Sequence, residues 1–191
     1  CEGGPGSGWD SRWRSRMVLG GFGGSRCNAQ VGNAVFGGPD LVKIGLAVRR
    51  FGSVGGMEGV AHGFAQWLVS EGHDADLWTA DISASTDGLR VREFAAFGRG
   101  VLWKAHSLRR ALREIPTGEY DGFIHFERGG RGGTYRAGAG CHATWVSRRG
   151  VRMGDGWLTA LDHKTMHEAE RVVVNSEMVR AEIVHQYGVP L

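Results

Sequence analysis

The chain of 191 residues and 20.7 kDa has room for one domain of ordinary size, or one domain with a tail. Hydrophobic residues at 41% and charged residues at 23% supply a core and exclude global disorder, and no run reaches the roughly 18–20 apolar residues of a membrane-spanning helix. A net charge of +3 and a pI near 9.0 are too weakly basic to imply nucleic acid, and Cys1, Cys27 and Cys141 offer neither a disulfide framework nor a zinc site, which suits a reducing compartment.

Glycine is the compositional anomaly, with 33 residues, eleven of them in the first forty. Residues 1–40 keep no period of 2 or 3.6 and read as a Gly-rich irregular leader, expected to be disordered. From Leu41 the character changes. Leu41 to Val48 is a mostly apolar run, as a strand buried on both faces of a parallel sheet requires. The glycine-rich turn Gly52-Ser53-Val54-Gly55-Gly56-Met57-Glu58-Gly59 follows. Met57, Val60, Ala61, Phe64 and Leu68 then recur at helical spacing up to Glu71, and Gly72 provides a left-handed stop. Ala75 to Thr79 reads as the second strand and Leu89 to Phe94 as the third.

A helix is predicted over 101–115, with Leu102, Ala105, Leu108, Leu112 and Ile115 on one face and Pro116 ending it. Tyr120 to Phe126 is a strand and Gly129 to Gly133 a loop. Residues 134–146 fit a short strand running into a helix. Trp157 to Glu170 reads as helix, Arg171 to Val174 as strand and Ser176 to Tyr187 as helix, with Asn175 as its N-cap and Gly188 and Pro190 past its end. Strands alternating with helices predict an α/β domain over 41–191, a Rossmann-like parallel sheet with helices on both faces.

In such a sheet ligands bind beyond the carboxyl ends of the strands. The turn at 52–59 is the sharpest candidate, because glycines admit a ligand close to the backbone and the helix behind them offers unpaired N–H groups to a phosphate. The spacing Gly52, Gly55, Gly56, Gly59 is not G-x-G-x-x-G, and no Lys-Ser/Thr pair completes a P-loop. Asp81 stands where a dehydrogenase would hold a ribose, which leaves a dinucleotide-binding oxidoreductase fragment as an alternative.

Lys43-Ile44-Gly45-Leu46, Gly55-Gly56-Met57-Glu58 and Leu68-Val69-Ser70-Glu71-Gly72-His73-Asp74-Ala75 together resemble the opening of retaining glycosyltransferases of family 4. Val172 to Val179 with Tyr187-Gly188-Val189-Pro190 is similar to that family's last amino-terminal strand and helix. Tyr120-Asp121-Gly122-Phe123, the glycine loop and Tyr135-Arg136-Ala137-Gly138 resemble its lipopolysaccharide-core glucosyltransferase branch. The resemblance implies the amino-terminal, acceptor-side half of a GT-B fold. It further implies a hexosyl transfer from a nucleotide-sugar donor to a glycolipid or polysaccharide hydroxyl, with no metal and no cofactor. Gly55 and Gly56 would lie against the donor diphosphate. The family's paired glutamates belong to a carboxyl-terminal GT-B domain outside these residues, so the chain alone is expected to be inactive and no catalytic residue is assigned. A cytoplasmic location follows, peripheral on the inner face of a membrane.

Glu58, His125, Glu127, Arg128 and His142 are the candidate sugar or acceptor contacts; each also has an ordinary reading as a core histidine or a solvated loop charge. His142 beside Cys141 has no orienting partner that would make a nucleophile pair. His163 and His167 are four apart on a helix, but Lys164 stands where a zincin glutamate should be. Trp103 with Lys104, Arg109, Arg110 and Arg113 gives the 101–115 helix a basic side suited to anionic lipid. Such a helix also allows a third reading, a non-catalytic module that binds a membrane or a partner.

Overall fold

The alternation read from the sequence becomes eight strands and five α-helices in the computed structural model, which describes residues 41–190. The leader expected over 1–40 lies outside the described residues. In chain order the elements are β1 (Lys43–Ala47), β2 (Arg50–Phe51), α1 (Gly56–Ser70), β3 (Asp74–Thr79), β4 (Asp81–Ile82), β5 (Arg90–Glu93) and α2 (Val101–Glu114). Then come β6 (Gly122–His125), β7 (Thr134–Arg136), α3 (His142–Arg149), α4 (Asp155–Glu168), β8 (Arg171–Val173) and α5 (Glu177–Tyr187).

Six strands form one sheet in the order β5-β3-β1-β6-β7-β8, and every pairing is parallel. The chain starts at β1, winds outward through β3 to β5, then returns to the other side of β1 for β6, β7 and β8. The order therefore reverses between β1 and β6, and their carboxyl ends splay around a crevice.

Both faces are covered, which explains the apolar run of β1. Leu46, Val48, Ala75 and Leu77 pack against Ala61, Ala65 and Leu68 of α1. On the opposite face Ala47, Tyr120 and Phe123 pack against Leu108 and Leu112 of α2. Gly45 is required there, because a Cβ would overlap the Phe123 ring. A third cluster holds Tyr135, Met166, Val179, Ile183 and Tyr187 under α4 and α5.

Local signals set the element ends. Gly72 at φ +83 closes α1, with Gly72 N–H donating to Val69 O and His73 N–H to Leu68 O, both at 3.0 Å. The cap of α5 is a correction: Ser176, not Asn175, is the N-cap, and its Oγ accepts the Val179 N–H at 3.3 Å. The ambiguous stretch after 134 resolves into β7 and α3, and α4 starts at Asp155, two residues earlier than its apolar pattern indicates. That early start has a cause, since Asp155 Oδ2 accepts the Arg152 N–H at 2.6 Å.

One element has no sequence signature. β2 and β4 pair in parallel as a two-strand ledge past the ends of β1 and β3. Arg50 Nε meets Asp81 Oδ2 at 2.9 Å, and Ser83 N–H donates to Phe51 O at 2.8 Å. This ledge fixes the chain between β1 and the glycine turn.

Candidate functional site

The crevice is built by two loops, 48–55 after β1 and 126–133 after β6. Parallel register places Ala47 beside His125, and Phe126 N–H continues the ladder to Ala47 O at 2.9 Å. The loops then separate, with Gly55-Gly56 on one wall and Glu127 on the other.

Gly55 is the N-cap of α1 at φ 112, a left-handed region that glycine enters without cost. It has no capping side chain, so no N-cap group satisfies the N–H groups of the first turn, Gly56 to Glu58. A Cβ at Gly56 would meet nothing within 4 Å. Gly55 is closed on its side-chain side, where a Cβ would stand 2.7 Å from Glu58 Oε2. The Glu58 carboxylate therefore lies at the positive end of α1.

Across the crevice, Glu127 Oε1 accepts the Arg49 N–H at 3.3 Å. Burial pushes the Glu127 carboxyl above the usual carboxylate range, and the nearby Glu58 charge adds to this; the Arg49 N–H and the charges of Arg49 and Arg128 oppose it. Gly55, Glu58, Glu127 and Arg49 are thus brought to one place. Arg49 was not singled out by sequence reasoning, although its position directly after the first buried strand is a readable signal.

His125 and His142 are held inside. His125 is 1% exposed, its Nε2 lies 3.2 Å from Arg131 O, and Gly130 is glycine because a Cβ would overlap the imidazole. Burial lowers its pKa to about 4 against the opposing pull of the Arg131 carbonyl. The ring is neutral at pH 7, with its proton on Nε2. His142 is also buried, which is the main cause lowering its pKa; the Arg128 charge adds to this, and Asp162 and Asp155 oppose it.

Arg128 pairs with Asp162 at 2.9 Å, and the Asp162 side chain is 0% exposed. Asp162 Oδ2 also accepts the His142 N–H and the Tyr187 hydroxyl, each at 3.0 Å. One carboxylate thus ties the loop after β6 to α3, α4 and α5. Asp162 did not stand out in the sequence, because an Asp amid the charged residues of a helix gives no sign of burial; Tyr187 was legible only as part of the Tyr187-Gly188-Val189-Pro190 motif, not as a partner of a buried carboxylate.

The α2 side chains are less uniformly cationic than their sequence. Trp103 is 70% exposed and Lys104 is exposed. Arg110 pairs with Glu114 at 3.3 Å, Arg113 pairs with Glu168 at 2.6 Å, and the Arg109 stem packs on Gly129. The His163 and His167 rings lie side by side, tilted by 45° with centroids 4.3 Å apart, and His167 Nε2 lies 3.1 Å from Tyr187 O. No third metal-type group joins them among the described residues. Asp81, weighed as a ribose ligand, is paired with Arg50. Among the described residues no helix is long and apolar enough to cross a membrane.

The crystal structure of WaaG, a glycosyltransferase involved in lipopolysaccharide biosynthesis, superposes with a TM-score of 0.62 at 12% identity. The match covers 77% of this chain and 42% of that one, so the chain spans less than half the length of its structural neighbour. It shows that the parallel sheet is the Rossmann-like arrangement of the amino-terminal half of a GT-B fold. No curated protein matches the sequence. The model of Glycosyltransferase Family 4 matches residues 54–191, from the glycine turn to the last residue, and the chain belongs to that family.

Proposed function

We propose that this is the acceptor-side domain of a retaining glycosyltransferase, and that the crevice between β1 and β6 receives the diphosphate of a nucleotide-sugar donor. The observation that carries the reading is the Gly55-Gly56 turn: uncapped N–H groups at the start of α1, opening at the point where the strand order reverses. A phosphate oxygen would accept from the first-turn N–H groups and take the place that Glu58 now occupies at the helix end. Glu127 stands opposite, where it would meet the sugar or the acceptor hydroxyl. Arg128 and His125 act one step behind, holding the loop that carries Glu127, while the His142 backbone N–H shares the Asp162 carboxylate with Arg128.

The transferred group would be a hexose and its acceptor a hydroxyl of a glycolipid or polysaccharide. The role of WaaG in lipopolysaccharide biosynthesis supports a glycolipid. A carboxyl-terminal GT-B domain would complete the donor site, so this chain by itself would bind but not turn over. Such an enzyme would work in the cytoplasm at the inner membrane face. The exposed Val101 and Trp103 beside Lys104 favour peripheral contact through the start of α2, with Arg110 and Arg113 engaged in ion pairs.

Calorimetry with nucleoside diphosphates and nucleotide sugars tests the donor reading. Gly56→Val introduces bulk into open space without backbone strain, so it should fold normally and lose affinity about tenfold or more, the effect of displacing a close phosphate contact. Unchanged affinity in Gly56→Val removes the diphosphate from this turn. For the membrane contact, co-sedimentation with anionic vesicles should fall in Lys104→Glu/Trp103→Ser; equal pelleting of the variant and the parent chain excludes it.

A further inference from the structure

On the α2 face of the sheet, away from the glycine turn, a groove of about 550 Å³ runs between β5 and α2. That volume lies within the ordinary range of small-molecule sites, roughly 300–1,000 Å³. Its lining combines three aromatic rings, Trp78, Phe94 and Phe97, with Glu93, Arg110 and Glu114. We propose that this groove binds a neutral sugar ring, as a glycan subsite separate from the crevice. The inference takes from the preceding reading only that the domain handles glycans.

The groove is preorganised. Trp78 Nε1–H donates to Tyr120 Oη at 2.8 Å, Tyr120 Oη–H donates to the buried Asp76 at 3.0 Å, and the Arg92 guanidinium stands 5.5 Å from the Trp78 ring. The indole is held in orientation by Tyr120 at its N–H and by Arg92 over its ring, and Asp76 fixes both of these partners. The opposite rim is anchored where Phe97 N–H donates to Ser107 Oγ at 3.1 Å. Phe97 itself is 73% exposed, an aromatic face left open to solvent beside polar groups.

Charge selects the ligand class. Glu93 and Glu114 face a single lining cation, Arg110, which is already paired with Glu114 at 3.3 Å. The lining carries one net negative charge, and Arg92 beside Trp78 is engaged by the buried Asp76 at 2.9 Å, which disfavours phosphates, nucleotides and anionic headgroups. A wholly apolar ligand would strip water from three charged side chains without replacing their hydrogen bonds. A neutral sugar avoids both costs. Its C–H face lies on an aromatic ring, while its hydroxyls donate to the carboxylates and accept from the guanidinium.

The test is a heteronuclear NMR titration of the whole 191-residue chain with methyl α-D-glucopyranoside and maltotriose, with glucose 1-phosphate and choline as charged comparators. Trp78→Phe identifies the Trp78 indole N–H signal. The expected result is a saturating shift at that signal and at the Phe97 amide, stronger for the neutral sugars than for either comparator. Phe97→Ala, at an exposed position, should leave the remaining spectrum intact and weaken binding by about three- to tenfold, the loss of one stacked ring. No shift with either sugar overturns the proposal, as does a dissociation constant unmoved by Phe97→Ala or a larger response to glucose 1-phosphate or choline. Shifts confined to the Gly55-Gly56 turn also overturn it, while leaving the crevice reading standing. Sugar binding in the groove, in a chain that takes no nucleotide in the crevice, supports the groove and defeats the other reading.

Discussion

The Glu127 carboxylate and the Arg49 backbone meet across the crevice, with Oε1 accepting the Arg49 N–H at 3.3 Å. The contact joins the loop after β6 to the loop after β1, so the walls of the candidate site are coupled at its mouth. It also keeps a partly buried carboxyl close to Glu58 and to the turn proposed to receive an anion.

Removing the Glu127 charge while keeping an oxygen acceptor should therefore help an anionic ligand. Glu127→Gln is expected to tighten binding of a nucleoside diphosphate at pH 8 by about 1 kcal/mol, the size of a unit-charge interaction at close range in a half-solvated crevice. The gain should shrink as pH falls, because the parent carboxyl, already raised, takes up its own proton. Calorimetry at pH 6 and pH 8 checks this. A variant that binds more weakly at both values would mean that the charge itself contacts the ligand favourably.

The two glycines of the turn should separate in thermal melts. Gly55→Ala forces a Cβ onto a backbone at φ 112 and against Glu58 Oε2, costing about 1–2 kcal/mol. Gly56→Ala meets nothing and enters a helix start, so its stability should stay within about 0.5 kcal/mol of the parent. Equal melting points for the two variants would contradict the observed turn.

His125 gives the fold a pH dependence whose sign can be worked out. Its folded pKa of about 4 lies below the unfolded value of 6.5, so between these pH values the unfolded chain binds more protons. The stability contribution is fully present above pH 6.5 and is lost as pH falls through 4, amounting to about 3 kcal/mol. Glu127, with a raised folded pKa, contributes in the opposite direction. Urea midpoints from pH 4 to pH 8 should therefore flatten in His125→Gln relative to the parent. Parallel curves would show that the imidazole is not kept neutral.

Asp162 should be among the least replaceable polar residues. Asp162→Ala leaves Arg128 unpaired in a largely buried position, with the His142 N–H and the Tyr187 hydroxyl also deprived of an acceptor. A loss of about 3–5 kcal/mol is expected. Amide exchange should rise together in the loop after β6 and at the start of α3; a rise in only one of them would show that the carboxylate does not tie them.

Where an element buries apolar residues at a regular period, it could be read from the sequence. Leu41 to Val48 announces β1, and the Leu108/Leu112 stripe announces α2, because burial on a fixed face leaves a repeating trace. The glycine turn was legible for the same reason that it exists: only glycine enters φ 112 freely. β2 and β4 were not legible, since two residues carry no period and the ledge depends on the Arg50–Asp81 pair across 31 positions. Asn175 and Ser176 are equally good caps by composition, and only the extended backbone of Ser176 decides between them. The burial of Asp162 was hidden because its partners come from three distant segments. Glu58 was legible from the turn motif, but the placement of its carboxylate beside Gly55 was not, since no residue pattern displays a side chain's direction.

The two halves of the sheet are stitched along a single seam, the four register pairs from Ile44 and Gly122 to Ala47 and His125. Prising the crevice apart would mean unzipping that central ladder, with helices already packed over both of its sides. The floor of the crevice is therefore stiff. Anything that enters the crevice meets walls whose spacing is set before it arrives.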